Sequence, residues 1–226
     1  MTGGTGTLGG DIVRALSSSP DWRVVANYLH DGERAARLQR ATGCTLVRAD
    51  IGDEAQVEAM FAGLPSLFAI VHAAGVAQDA LLLRQSCLAW NETLRVNADG
   101  AFLVARAALS KLEFGGRLVM LASRAGEHGN AGQAAYAASK AAVIALVKCA
   151  AREAGERSVT VNAICPGFVP SVLSQRLDEA HLASFKDQSV LHSLGTPQQV
   201  TATVEWLLSD AASAISGQVI HCDSRI

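Results

Sequence analysis

The chain carries almost no net charge: 19 lysines and arginines stand against 21 aspartates and glutamates in 226 residues, a formal −2. That balance gives no electrostatic reason to expect nucleic acid or an anionic membrane as a partner. No uninterrupted apolar run approaches the roughly 20 residues that a membrane-spanning helix needs. Met1-Thr2-Gly3-Gly4 has neither the basic region nor the apolar core of a signal peptide. Cysteines number five, an odd count, and none are spaced C-x-x-C. Free or buried thiols in a reducing compartment are therefore expected, with no disulfide framework and no metal site, and the location expected is the cytoplasm. Repeats, low-complexity tracts and interdomain linkers are lacking too. A chain of this length suits a single domain with a large core, over residues 1–226.

What is present is alternation. Short apolar or β-branched runs at Arg23–Asn27, Thr45–Arg48, Leu67–His72, Arg117–Ala122, Thr160–Ile164 and Gln218–His221 read as strands. Between them lie helix-like stretches at Gly9–Ser18, Glu33–Thr42, Glu54–Ala62, Trp90–Leu112, Ala134–Ala154 and Gln198–Ser209. The pattern predicts an α/β fold, a Rossmann-like, doubly wound parallel sheet covered on both faces. The stretch at about 166–195, the least regular, suits a flap beside a site.

Only two tyrosines occur, and Tyr136 stands four residues before Lys140 in a run free of helix breakers. Residues four apart share a helix face, so phenol and ammonium project together. A lysine close to a tyrosine favours the phenolate and lowers a pKa that is otherwise about 10. The glycine pattern at Gly3, Gly6 and Gly9 reads as a strand-to-helix turn whose backbone and helix N-terminus can meet a pyrophosphate. Yet no strand precedes it, and a doubly wound sheet needs one there, at its centre. The preferred explanation is that its residues belong ahead of Met1; the alternative is that another segment fills the gap. Asp50 follows a strand, where a carboxylate can accept from an adenine amino group or cap the next helix; spacing leaves both readings open.

The glycine turn, Asp50, His72-Ala73-Ala74-Gly75, Asn97, Ser123, Tyr136, Lys140 and Pro166-Gly167 together resemble the short-chain dehydrogenase/reductase family, from Thr2 to about Asp223. Within it, the stretches at 129–141 and 161–169 look most like bacterial 3-oxoacyl-acyl-carrier-protein reductases, and the glycine turn equally like polyketide ketoreductases. The resemblance implies a role for each residue. Tyr136 donates the proton to a carbonyl oxygen, Lys140 lowers the tyrosine pKa and holds the nicotinamide ribose, and Ser123 orients the carbonyl. Asn97 anchors a water joining Lys140 to solvent. It further implies cofactor contacts from Gly3, Thr5, Gly6, Leu8, Asn27, Asp50, Ile51, Ala74, Gly75, Pro166, Gly167, Val169 and Ser171, besides Tyr136 and Lys140.

Departures qualify this. His72-Ala73 replaces two amides of the family's Asn-Asn-Ala-Gly, and His72 reads as a packed strand-end residue rather than a proton carrier. Ala26-Asn27-Tyr28 lacks the acidic residue that repels a 2′-phosphate, so NADPH is expected over NADH, with His30 and Arg34 as candidate phosphate partners. The expected activity is NADPH-dependent reduction of a 3-ketoacyl thioester of fatty-acid or polyketide type. Alternatives are an NAD-dependent alcohol or sugar dehydrogenase and a nucleotide-binding subunit without turnover. Val172, Leu173, Leu177, Leu182 and Phe185 are candidate acyl-pocket residues, and Lys148 and Arg152 candidate contacts to an acyl carrier protein. Helices 90–112 and 134–154 resemble those through which family members form homodimers and homotetramers.

Overall fold

Strands apolar on both faces belong inside a parallel sheet, where helices cover both sides. The computed structural model describes residues 1–170 and 179–225, and within these the expected alternation is found. The strands are β1 (Val25–Tyr28), β2 (Thr45–Arg48), β3 (Leu67–His72), β4 (Leu112–Leu121), β5 (Thr160–Pro166) and β6 (Val219–Cys222). The helices are α1 (Thr7–Ser18), α2 (Gly32–Thr42), α3 (Glu54–Ala62), α4 (Cys87–Leu94), α5 (Gly100–Lys111), α6 (Ala125–His128), α7 (Ala134–Ala154), α8 (Glu179–Asp187) and α9 (Pro197–Leu208). All strand pairs are parallel: β1 with β2, and β3-β4-β5-β6 in that order.

Alternation along β4 shows how one sheet feeds two cores. Leu118 and Met120 pack with Val57 of α3, Val104 of α5 and Val143 and Val147 of α7. Val119 and Leu121 point the other way, to Ile12 and Leu16 of α1 and Val200, Val204 and Leu207 of α9. Burying each such side chain fully contributes about 1.5–3 kcal/mol. Helix α7 opens a stretch, Ala134–Arg157, that is long and apolar enough by composition to cross a membrane. Its buried residues Val143, Ile144, Val147, Ala150 and Ala154 instead form part of the core.

The expected long helix at 90–112 is divided. α4 ends at Leu94, a π-helical turn spans Arg95–Asp99, and α5 follows to Lys111. The chain then enters β4 at Leu112, five residues before the predicted start. Leu112 pairs with Leu67 but Arg117 pairs with Ala69, so residues 113–116 bulge out of the ladder. Gly115 (φ +75°) supplies the left-handed turn this requires.

The missing central strand is only hinted at. The Met1 amine donates to the Val25 carbonyl (2.8 Å), and Asn27 N–H donates to the Met1 carbonyl (2.8 Å). On the other side Thr2 N–H donates to Val71 O (2.9 Å) and Ala73 N–H to Thr2 O (3.3 Å). Two residues thus bridge β1 and β3 at the end nearest the glycine turn. Beneath them, where the rest of a strand would run, lies a cavity of about 80 Å³ lined by Leu16, Val24, Met60, Phe61, Ala69 and Val71, among others. No other described segment fills it.

Candidate active site

The glycine turn hangs from these two rungs. Gly4 N–H donates to Asn27 O (2.9 Å), and Gly6 N–H donates to Gly3 O (2.9 Å). Gly3 has φ +64°, and a Cβ there would stand 2.6 Å from the Ala74 backbone; one at Gly9 would stand 2.1 Å from Gly3 O. Only glycine tolerates either position. Gly6 is the N-cap of α1 and, as a glycine, offers no side-chain cap hydrogen bond. The positive end of the α1 dipole, with glycines that let a ligand approach the backbone closely, suits this turn to a cofactor pyrophosphate. Thr5 and Leu8 border it, both partly buried.

On the other side of Ala74, β3 leads into Gly75. A Cβ on Gly75 would lie 3.2 Å from Asn97 Oδ1 and 3.6 Å from Lys140 Nζ, so the expected asparagine and lysine converge there. Asn97 is fully buried in the π turn. Its Oδ1 accepts from Val76 N–H (2.8 Å), while Nδ2 donates to Val76 O (2.8 Å) and Ser139 Oγ (3.1 Å). Ser139 Oγ in turn donates to Tyr136 O (2.7 Å). A π turn inserts one residue and re-aims a side chain, which is why it recurs at functional sites. It turns Asn97 inward instead of leaving it on a solvated face.

Tyr136 and Lys140 share a face of α7, as their spacing predicts. Lys140 Nζ lies 5.7 Å from the Tyr136 ring centre and donates to Leu121 O (2.8 Å). Gly126 of α6 packs so tightly on α7 that a Cβ would come within 2.6 Å of the Lys140 backbone. Ser123, at the end of β4, hydrogen-bonds the Tyr136 hydroxyl, and its Oγ accepts from Ala125 N–H (3.2 Å). One expectation is corrected. Burial raises the Tyr136 pKa, Asp79 and Cys165 add to the rise, and only the Ser123 hydrogen bond opposes it. Burial likewise lowers Lys140 to about 8. With the ammonium engaged by a carbonyl, desolvation outweighs its pull on the phenol, and Tyr136 stays protonated.

The remaining expected residues divide. Asp50 does not cap α3; Asp53 does, accepting from Gln56 N–H (3.0 Å). The Asp50 carboxylate accepts from Gly52 N–H (2.8 Å) and pairs with Arg95 (3.1 Å). Ile51 is buried against Gly100. Asn27 is a buried latch, its Nδ2 donating to Ala49 O (2.9 Å) and its Oδ1 accepting from Gly3 N–H (3.4 Å). It is not a free ribose ligand, since it needs both groups to tie β1 to β2 and the turn. Pro166 ends β5, and Gly167 N–H donates to Cys222 O (2.8 Å). Val169 is buried against the α9 side of the core. Ser171, Val172, Leu173 and Leu177 lie outside the described residues; Phe185 stacks on Phe168 at 4.4 Å.

His72 is the packed residue it was expected to be. It is fully buried, Nδ1 sits 2.8 Å from Thr2 Oγ1, and burial, Lys140 and the N-terminal amine lower its pKa to about 3. Sequence reasoning missed Ser139, although it stands three residues after Tyr136 and so on the same face. It also missed Arg48, whose Nε donates to Leu29 O (3.0 Å) just past β1, and Arg95; both are far from their partners in sequence.

Residues 6–224 match a family model described as Enoyl-(Acyl carrier protein) reductase. The chain is similar to the 3-oxoacyl-[acyl-carrier-protein] reductase FabG of Aquifex aeolicus, 34% identical over 98% of this chain and 93% of that protein. It is 32% identical to the FabG of Staphylococcus aureus strain Mu50, over 98% and 94%. Among solved structures, BdcA in complex with NADPH superposes with a TM-score of 0.92 at 26% identity, covering 99% of this chain and 91% of that one. The angucycline C-6 ketoreductase LanV with bound NADP (TM-score 0.90, 24% identity, 98% and 91% covered) shares the fold.

Proposed function

Because the chain belongs to the short-chain dehydrogenase/reductase family of NAD(P)-dependent oxidoreductases, we propose that it reduces a 3-ketoacyl thioester to the 3-hydroxyacyl thioester, using NADPH. The observation that carries this reading is a tyrosine kept protonated by burial, hydrogen-bonded to Ser123 and set beside Lys140. A reductase needs a proton donor at this point, and a raised phenol pKa keeps the donor loaded.

The nicotinamide cofactor, when bound, supplies a hydride to the carbonyl carbon. The Ser123 hydroxyl holds the carbonyl oxygen, and Tyr136 gives that oxygen its phenolic proton. Lys140 stabilises the phenolate left behind and, through Asn97, is tied to the route by which solvent restores the proton. Gly3, Gly6 and the N-terminal end of α1 hold the pyrophosphate. NADPH is favoured because the end of β1 offers no carboxylate against a 2′-phosphate, while Arg48, His30 and Arg34 lie close in structure or sequence. BdcA, at 26% identity, was solved with NADPH.

The thioester is preferred because the relatives at 32–34% identity are 3-oxoacyl-[acyl-carrier-protein] reductases. The carrier contact is assigned to exposed Lys148 and Arg152, and the substrate flap to residues 166–195. A homodimer or homotetramer in the cytoplasm completes the proposal. Exposed Leu82, Leu83 and Leu88 and half-exposed Phe102 on α5 support an interface between copies.

NADPH oxidation with a short 3-ketoacyl thioester tests the reading. Turnover is expected, with the Tyr136→Phe variant slowed by at least the roughly 10²–10⁴-fold that a positioned proton donor supplies. A folded protein that binds NADPH yet reduces no 3-ketoacyl thioester would overturn it.

A further inference from the structure

Behind Ser123, three side chains that the proposed reaction does not use meet at one point. Cys165 and His221 are direct register partners on β5 and β6, so their side chains leave the same face of the sheet. Glu127 of α6 reaches the same point. One ligand atom from each of Glu127, Cys165 and His221 lies within 4.8 Å of the other two. His221 Nε2 stands 3.3 Å from Glu127 Oε2. Two ligands on tetrahedral zinc arms of about 2.0–2.2 Å are separated by about 3.4 Å, so this pair already has coordination spacing.

We infer that Glu127, Cys165 and His221 form a zinc-binding site beside the catalytic pocket. The donor set is one thiolate, one imidazole and one carboxylate. Such a mixture suits a borderline-soft ion and disfavours calcium or magnesium, which take oxygen ligands. Three protein ligands leave a fourth position for water. That position has an entry path, since the Glu127 and His221 side chains are 28% and 38% exposed while Cys165 is buried beneath them. The two exposed arms can close the last ångström toward the sulfur by rotating. Binding forms a zinc–sulfur bond and releases the thiol proton to solvent, one proton per ion. The ligands lie on three separate elements, so no motif spacing in the sequence announces them.

The competing reading is a histidine–carboxylate pair beside an inert buried thiol, and metal titration separates the two. Full-length chain stripped with chelator is titrated with zinc by calorimetry and with cobalt(II) by absorption. Cys87→Ser and Cys149→Ser remove the two exposed thiols from the background. The expected result is one ion per chain and a thiolate-to-cobalt charge-transfer band. Cys165→Ala should abolish the band and weaken binding by more than the roughly 10–100-fold that losing an outer-shell partner costs. Should that variant fail to fold, Glu127→Gln, at an exposed position, is expected to weaken binding likewise. Absence of stoichiometric binding, or binding indifferent to the substitutions, would sink the inference. No substrate or cofactor is present in this titration, so its outcome is independent of the reductase proposal.

Discussion

At the scale of single residues, burial decides the protonation of the candidate site. Tyr136 is pushed up and Lys140 down to about 8, so both start a reduction protonated at neutral pH. Raising the pH through about 8 removes the Lys140 charge on which the proposed mechanism relies to stabilise the phenolate. The reduction rate is therefore expected to hold below pH 8 and fall above it, read as kcat/KM against pH; a rate that climbs through pH 9 would contradict this assignment. Asn97 carries a different load. Its amide satisfies both polar groups of Val76 and reaches Ser139 in a site without exposure. Asn97→Ala leaves those partners unpaired, each costing about 1–3 kcal/mol. Ser139 keeps its bond to Tyr136 O, so the two Val76 groups set the cost, and urea denaturation of this variant should show a loss of about 2–6 kcal/mol along with lost turnover, whereas a loss of turnover alone would mean the network is dispensable for folding.

Among the elements, helices with clear ends were legible in the sequence. Glu54–Ala62 and Ala134–Ala154 have the boundaries their patterns predict, because Asp53 caps the first and a breaker-free run bounds the second. The π turn and the early start of β4 were not legible. Each depends on tertiary register: Asn97 reaching Val76 in one case, and the β3 pairing that bulges residues 113–116 in the other. Of the site, Tyr136 and Lys140 could be read from spacing and Ser123 from the family resemblance, but the engagement of Asp50 by Arg95 and the inward turn of Asn27 could not. Both depend on which chain segments become neighbours. The sheet gap was legible because a glycine turn implies a strand before it. Fusing five β-branched apolar residues to Met1 should extend both ladders and fill the cavity between β1 and β3. The gain expected in urea denaturation is about 2–4 kcal/mol, the worth of one or two buried aliphatic side chains. A Gly-Ser extension of equal length should give none, and equal effects from both would show that the cavity is not a strand slot.

For the molecule as a whole, the bridge between β1 and β3 makes folding sensitive to pH through His72. The ring is fully buried, its Nδ1 lies 2.8 Å from Thr2 Oγ1, and burial, with the Lys140 charge behind it, lowers its pKa from 6.5 to about 3. It is a base folded in its neutral form, so the unfolded chain binds more protons between these two values. Stability must then rise with pH from about 3 to 6.5. His72→Gln keeps a polar partner for Thr2 but cannot titrate. The variant should therefore lose the slope in urea midpoints between about pH 4 and 6.5 that the unsubstituted chain shows. A slope that survives the substitution would place the proton uptake elsewhere and free His72 from its role in the pH dependence of the bridge.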